Sequence, residues 1–301
     1  MTADAAPETE GSPRPGGRRA GVLGSPVAHS LSPVLHRAAY RALGLHGWRY
    51  DAHLVDEEAL PAFIETAVKE NESGRESWAG LSLTMPLKRA VIPLLDSVSD
   101  TASSVEAVNT VVFEPDGRLS GHNTDIPGMT AALRERGITS VASAAVLGAG
   151  ATASSALAAL ARICDGEVTV CVRSDARAEE MRRLGKRLDV TVRIQRWEEA
   201  AEAFSAELVV ATTPAGATDG LAHAVPDRPG ALFDVLYDPW PTRLAAAWSA
   251  HGGTVLGGLD LLVHQAVLQV ELMTGCAPAP LAAMREAGEA ALAARQAAAQ
   301  R

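Results

Sequence analysis

The chain has few cysteines, no excess of basic charge and no strongly apolar stretch, and each shortage excludes a class of function. Its three cysteines, Cys164, Cys171 and Cys276, form no C-x-x-C pair, so neither a disulfide framework nor a zinc site is indicated. The eight histidines are scattered, with no pair at metal-ligand spacing, and no metal is expected. Acidic residues outnumber Lys and Arg by 36 to 27, and the net charge of −9 argues against nucleic-acid or anionic-membrane partners. The N-terminal segment lacks the apolar core of a signal peptide. The uncharged run from Gly137 to Ala161 is Ala, Ser, Thr and Gly broken by a glycine turn, too weakly apolar for a span of about 20 residues. There is no internal repeat. A reducing cytoplasm is the expected compartment.

What remains is ordinary for a globular α/β protein. Hydrophobic residues make up 47% and charged residues 21%, and 301 residues suggest about two domains. Residues 1–18, rich in Pro, Gly, Ala and charge, are expected to be a disordered tail. From Ala20 strand and helix patterns alternate. Strands are expected at Gly21 to Leu23, Trp48 to Leu54 and Gly80 to Leu83. Helices are expected at Pro33 to Leu43 (apolar face Val34, Leu35, Ala38, Ala39, Ala42), Asp56 to about Glu70, and Pro86 to Leu95. Pro115-Asp-Gly117 turns a hairpin between Thr110–Glu114 and Arg118–Ser120. A helix opens near Pro127. Beyond it the pattern is strand (143–147), helix (151–163), strand (168–172), helix (176–188), then strands near 191–194, 208–211, 231–235 and 254–256. Such alternation implies parallel strands. Helices from about Leu259 to Thr274 and from Leu281 onward close the chain.

Val146-Leu-Gly-Ala-Gly-Ala-Thr-Ala153 joins a strand to a helix and carries the strongest local signal. Gly148 permits a tight turn, Gly150 lets backbone N–H groups approach a pyrophosphate, and small Ala153 lets helix and strand lie close. Ala149 and Ala151 belong to the same turn. Twenty-five residues after Gly148, at the end of the next strand, comes Arg173, where an acid would favour a free ribose 2′-hydroxyl and an Arg suits a 2′-phosphate. Arg173, Ser174 and Arg177 offer two cations and a hydroxyl for that phosphate. NADP(H) is the expected cofactor, the alternative being solvated arginines at a strand end.

Three polar clusters lie upstream. His29-Ser-Leu-Ser-Pro33 sets Ser30 and Ser32 on one side of an extended backbone, unless Ser32 N-caps the helix that Pro33 opens. Leu81-Ser-Leu-Thr-Met-Pro-Leu-Lys88 ends on a cation in a helix's first turn, an unfavourable place unless something holds it there. Ala107-Val-Asn-Thr110 and Gly121-His-Asn-Thr-Asp125 form the third, with an N-cap as the competing role for Asp125. His264, on an apolar helix, reads as packed.

Together these segments resemble shikimate dehydrogenase from Gly21 to about Ala290, and the actinobacterial, NADP-dependent type in particular. The carriers are Gly24-Ser-Pro-Val-Ala-His-Ser-Leu-Ser-Pro33, Leu83-Thr-Met-Pro-Leu-Lys88, Ala107-Val-Asn-Thr110, Asn123-Thr-Asp125, Gly148-Ala-Gly150, Tyr237-Asp-Pro-Trp-Pro-Thr242 and Gly257-Gly-Leu-Asp-Leu-Leu-Val-His-Gln265. The resemblance implies an N-terminal, mostly parallel α/β substrate domain (19–124), a Rossmann-type NADP-binding domain (125–257) and C-terminal helices returning to the substrate domain (258–295). It implies Lys88 and Asp125 as the catalytic pair, with Ser30, Ser32, Ser82, Thr84, Asn109, Tyr237 and Gln265 around a small ring acid. Thr213 and Gly258 join the cofactor set. Ser82 stands where asparagine is common in the family, shortening one substrate contact that a water could fill, and Val172 where many relatives have Asn. The expected reaction is NADPH-dependent reduction of 3-dehydroshikimate to shikimate by a monomer or homodimer. A quinate/shikimate or aminoshikimate dehydrogenase and a non-catalytic shikimate-binding regulator are the alternatives, and Asp175, near the ribose position, keeps an NAD-using form open.

Overall fold

The computed structural model describes residues 18–74 and 77–299. The expected tail therefore lies outside the described residues except for Arg18. The elements run β1 (Arg19–Gly24), α1 (Ser32–Ala42), β2 (Arg49–Leu54), α2 (Leu60–Ser73), β3 (Trp78–Leu83), α3 (Leu87–Ala90), β4 (Ser97–Val98), α4 (Asp100–Val105), β5 (Thr110–Phe113), β6 (Leu119–His122) and α5 (Asp125–Glu135). They continue with β7 (Ala144–Leu147), α6 (Ala151–Leu160), β8 (Val168–Val172), α7 (Asp175–Arg187), β9 (Val192–Arg196), β10 (Leu208–Ala211), β11 (Ala231–Asp234), α8 (Arg243–Ala250), β12 (Thr254–Leu256), α9 (Gly258–Thr274) and α10 (Leu281–Ala299).

Two six-stranded sheets result, in the orders β2-β1-β3-β5-β6-β4 and β12-β11-β10-β7-β8-β9. In the first, the expected hairpin makes β5 antiparallel to both β3 and β6, while β1 pairs in parallel with β2 and β3. The second is parallel throughout. Its strands are covered on both faces, as a parallel sheet requires. Val146, Val170, Val210 and Phe233 enter one core, whereas their neighbours Leu147, Cys171, Val209 and Leu232 enter another. The two cores lie on opposite faces because side chains alternate along a strand.

α9 packs on β3, β5 and α5, and its Val263, Ala266 and Val270 share a core with Leu35 and Ala39 of α1 and Met284 of α10. The C-terminal helices therefore return to the first sheet. Gly275, at φ 74°, ends α9 in the left-handed conformation, and its N–H donates to Glu271 O. No helix among the described residues is long and apolar enough to cross a membrane.

The structure departs from the expected elements in a few places. The apolar face expected for α1 holds at Leu35, Ala38 and Ala39, but Ala42 is exposed, and His36 and Tyr40 are buried in its stead. Asp56 lies outside α2, in the turn before it, where its Oδ1 accepts from the Ala59 N–H at 2.9 Å. α4, α8, β4 and the 3₁₀ turns Trp197–Ser205 and Asp219–Ala224 have no counterpart in the periodicity reading.

Candidate active site

All nine residues expected to meet substrate or carry catalysis line one cavity of about 220 Å³ between the sheets: Ser30, Ser32, Ser82, Thr84, Lys88, Asn109, Asp125, Tyr237 and Gln265. The β1–α1 loop supplies Ser30 and the start of α1 Ser32, β3 and the turn after it Ser82 and Thr84, α3 the lysine, and α9 the glutamine.

Lys88 Nζ donates to Asp125 Oδ2 at 2.6 Å, which explains a cation in the first turn of α3. Both side chains are largely withdrawn from water, at 14% and 7% exposure, so this is a directed pair rather than a loose surface contact. The other carboxylate oxygen of Asp125 accepts from Asn109 Nδ2 at 2.9 Å, and Asn109 Oδ1 accepts from the Thr124 N–H at 2.8 Å. The capping role weighed for Asp125 is not the one it has. It is the first residue of α5 and makes no cap bond; Asn123 Oδ1 accepts the Ile126 N–H instead, at 3.1 Å. Ser32 likewise does not cap α1, and its own N–H donates to Ser30 Oγ at 3.2 Å.

Tyr50 and Gln269 were not among the expected residues. The Tyr50 hydroxyl donates to Ser82 Oγ at 2.6 Å, and Ser82 donates to Gln269 Oε1 at 2.7 Å. Gln269 Nε2 donates onward to Thr110 Oγ1 at 3.0 Å. Tyr50 also bonds the Ser32 side chain, and burial, opposed by these bonds, holds its proton far above the ordinary phenol range. The partners of Ser82 are thus side chains of β2 and α9. The Tyr237 hydroxyl is pushed up by burial as well, against the smaller opposing effect of the Leu31 backbone.

A second cavity of about 630 Å³ adjoins the first and shares Thr84, Lys88 and Thr152 with it. Gly148, Ala149, Gly150, Ala151, Arg173, Arg177 and Thr213 line it; Ala153 and Ser174 do not. Ala153 is buried under the turn, and Ser174 Oγ caps α7 by accepting the Arg177 N–H. Gly258 lines the smaller cavity rather than the larger one. A Cβ there would sit 2.1 Å from Val235 O, so glycine allows α9 to start against the end of β11.

Gly148 has φ +113°, and a Cβ on it would lie 2.7 Å from Thr212 Oγ1. At Gly150, the residue before α6, a Cβ would meet nothing within 4 Å, so the face of the turn is open at the helix N-terminus. A glycine turn, an open helix start and a cavity within the range of roughly 300–1,000 Å³ usual for small-molecule sites fit a dinucleotide. The Arg173 guanidinium lies 4.8 Å over the Trp197 ring. Asp175 pairs with Arg196 at 2.9 Å and does not line the cavity. His264 is packed, as expected, and also bonds Glu135 Oε2 at 2.9 Å.

Comparison with known proteins agrees with this geometry. Residues 22–111 match the family model for the shikimate dehydrogenase substrate binding domain, and residues 258–287 that for the shikimate 5'-dehydrogenase C-terminal domain. The shikimate dehydrogenase (NADP(+)) of Oleidesulfovibrio alaskensis is 41% identical, covering 85% of this chain and 89% of its own. The crystal structure of Mycobacterium tuberculosis shikimate dehydrogenase superposes with a TM-score of 0.81 at 41% identity, over 91% of this chain and 99% of its own. The Thermus thermophilus enzyme, solved in complex with NADP(H) and shikimate, gives a TM-score of 0.77 at 36% identity, over 91% and 99%. Likeness of this degree over nearly the whole chain shows that it belongs to the shikimate dehydrogenase family.

Proposed function

We propose that this chain is an NADP-dependent shikimate dehydrogenase, reversibly reducing 3-dehydroshikimate to shikimate. In this reading residues 19–124 with 258–295 bind substrate and residues 125–257 bind NADP(H). The observation that carries it is the position of Lys88, which lines both cavities and is held by Asp125 at 2.6 Å. One side chain thus stands where a substrate carbonyl and a nicotinamide would meet.

NADPH, when bound, supplies the hydride for the C3 carbonyl. As the carbonyl is reduced, negative charge develops on its oxygen, and the Lys88 ammonium stabilises that charge and delivers the proton. Asp125 holds Lys88 and accepts a ring hydroxyl, and Asn109 fixes the carboxylate from behind. Ser30 and Ser32 hold the substrate carboxylate, while Thr84, Tyr237, Gln265 and Ser82 surround the ring. The two glycines and the start of α6 hold the pyrophosphate, with Thr213 beside the turn. Arg173 and Arg177 take the 2′-phosphate. Pairing of Asp175 with Arg196, away from the cavity, supports NADP over NAD. Three unpaired cysteines accord with a cytoplasmic enzyme, acting as monomer or homodimer.

Steady-state rates with shikimate, quinate and aminoshikimate, each with NADP and NAD, test this reading through absorbance at 340 nm. Shikimate with NADP is expected to give the highest kcat/KM. Faster quinate turnover with NAD would make the chain a quinate dehydrogenase, and stabilisation by shikimate without turnover would make it a binding protein.

A further inference from the structure

Three arginines line the larger cavity: Arg89, Arg173 and Arg177. Arg173 leans on Trp197. The other two converge on one carboxylate. Glu180, one turn beyond Arg177 on α7, accepts from Arg177 Nη1 through Oε2 at 2.7 Å, and its Oε1 forms an ion pair with Arg89. Arg89 follows Lys88 in α3 and also reaches Ser154 Oγ on α6, at 3.4 Å. Glu180 is only 21% exposed, Arg177 is 49% exposed, and Glu180 itself does not line the cavity. Burial raises the Glu180 carboxyl, but the two guanidinium groups outweigh it and keep the group below its ordinary range, hence charged at neutral pH.

We propose that Glu180 sets the strength and selectivity of binding at the ribose-2′ subsite by competing with the incoming phosphate for Arg177. The proposal rests on the reading of the larger cavity as an NADP(H) site. A 2′-phosphate and the Glu180 carboxylate are both acceptors for the same guanidinium fork. Arg177 therefore leaves one anion to meet the other, while the remaining carboxylate stays close enough to repel the dianion. Glu180 loses little by the exchange, because Arg89 keeps it paired. A nucleotide without the 2′-phosphate makes no such demand on Arg177.

The test uses adenosine 2′,5′-bisphosphate and adenosine 5′-monophosphate, titrated calorimetrically into the full chain. Glu180→Gln keeps the size of the side chain and one acceptor oxygen, and removes the charge together with the second acceptor. It is expected to bind the bisphosphate roughly three- to tenfold more tightly than wild type, the monophosphate unchanged, with the gain shrinking at high salt. In an Arg177→Ala background the same substitution is expected to give a smaller gain, that of the relieved repulsion alone. If wild type prefers the bisphosphate but Glu180→Gln binds it equally or less well, or if the gain persists in full without Arg177, the proposal is overturned while the subsite reading stands. If wild type shows no preference between the nucleotides, the subsite reading itself fails.

Discussion

The Tyr50 hydroxyl donates to Ser82 Oγ at 2.6 Å, so Ser82 is fixed from β2 rather than left to reach the substrate alone. Ser82 in turn donates to Gln269, and every member of this chain of bonds is buried. Tyr50→Phe removes one donor and leaves a buried acceptor short of a partner, for a loss of about 1 kcal/mol in urea unfolding. Because Ser32 and Ser82 both line the substrate cavity, KM for shikimate should rise several-fold with kcat little changed. Unaltered stability and KM would show the bond to be idle.

Lys88→Ala should abolish turnover while leaving shikimate binding nearly intact. The ammonium acts on charge that develops only as the carbonyl is reduced, so its loss falls on kcat, by about 10²–10⁴ for a group combining proton transfer and charge stabilisation. Steady-state kinetics with calorimetric titration of shikimate separates the two quantities. Wild-type-like turnover would remove Lys88 from the mechanism.

Arg173→Ala should weaken NADPH far more than NADH. A charge-assisted hydrogen bond to a phosphate contributes about 1.5–3 kcal/mol, so the NADPH Kd should rise about tenfold or more. Fluorescence titration of both reduced cofactors measures the difference, and equal weakening would overturn the 2′-phosphate assignment.

The residues that sequence reading reached are those whose chemistry is concentrated in short runs. The glycine turn, Leu83 to Lys88 and Asn123 to Asp125 each place several polar groups at one bend, and all of these bends meet at the two cavities. Tyr50 stands on a strand away from any motif, Arg89 is masked by its neighbour Lys88, and Glu180 is one charge among many on α7, so none of them gives a separate signal. Gln269 did offer one: it follows Gln265 by four residues on a mostly apolar helix, hence on the same face. α4 and α8 could also have been marked from Ser99 and Thr242, whose hydroxyls accept the Ala102 and Ala245 N–H groups as N-caps. Asn123 caps α5 from two residues before Asp125, a distinction that needs the backbone angles and not the residue types.

His36 sits on α1 where the periodicity placed only aliphatics, and its environment makes it an acid-sensitive element of the fold. The ring is fully buried and stacks on Tyr50 with centroids 3.9 Å apart. Nδ1 lies 2.9 Å from Ser32 O, which can only accept, so Nδ1 carries the proton; Nε2 has no hydrogen-bond partner. Burial lowers the pKa from 6.5 to about 4, against the smaller opposing effect of the Ser32 bond. Between those values the unfolded chain binds the proton and the folded one does not, so stability rises with pH across the window. The contribution is whole above pH 6.5 and falls as pH drops toward 4, by about 2 kcal/mol at pH 5 if each pKa unit is worth roughly 1.4 kcal/mol. His36→Asn keeps a donor for Ser32 O and abolishes the titration. Urea midpoints measured from pH 7.5 to 4.5 should therefore fall more steeply for wild type than for His36→Asn. His53 and His122, whose pKa values burial also lowers, are common to both proteins and cancel in the comparison. Parallel curves would show that His36 is not what makes this fold sensitive to acid.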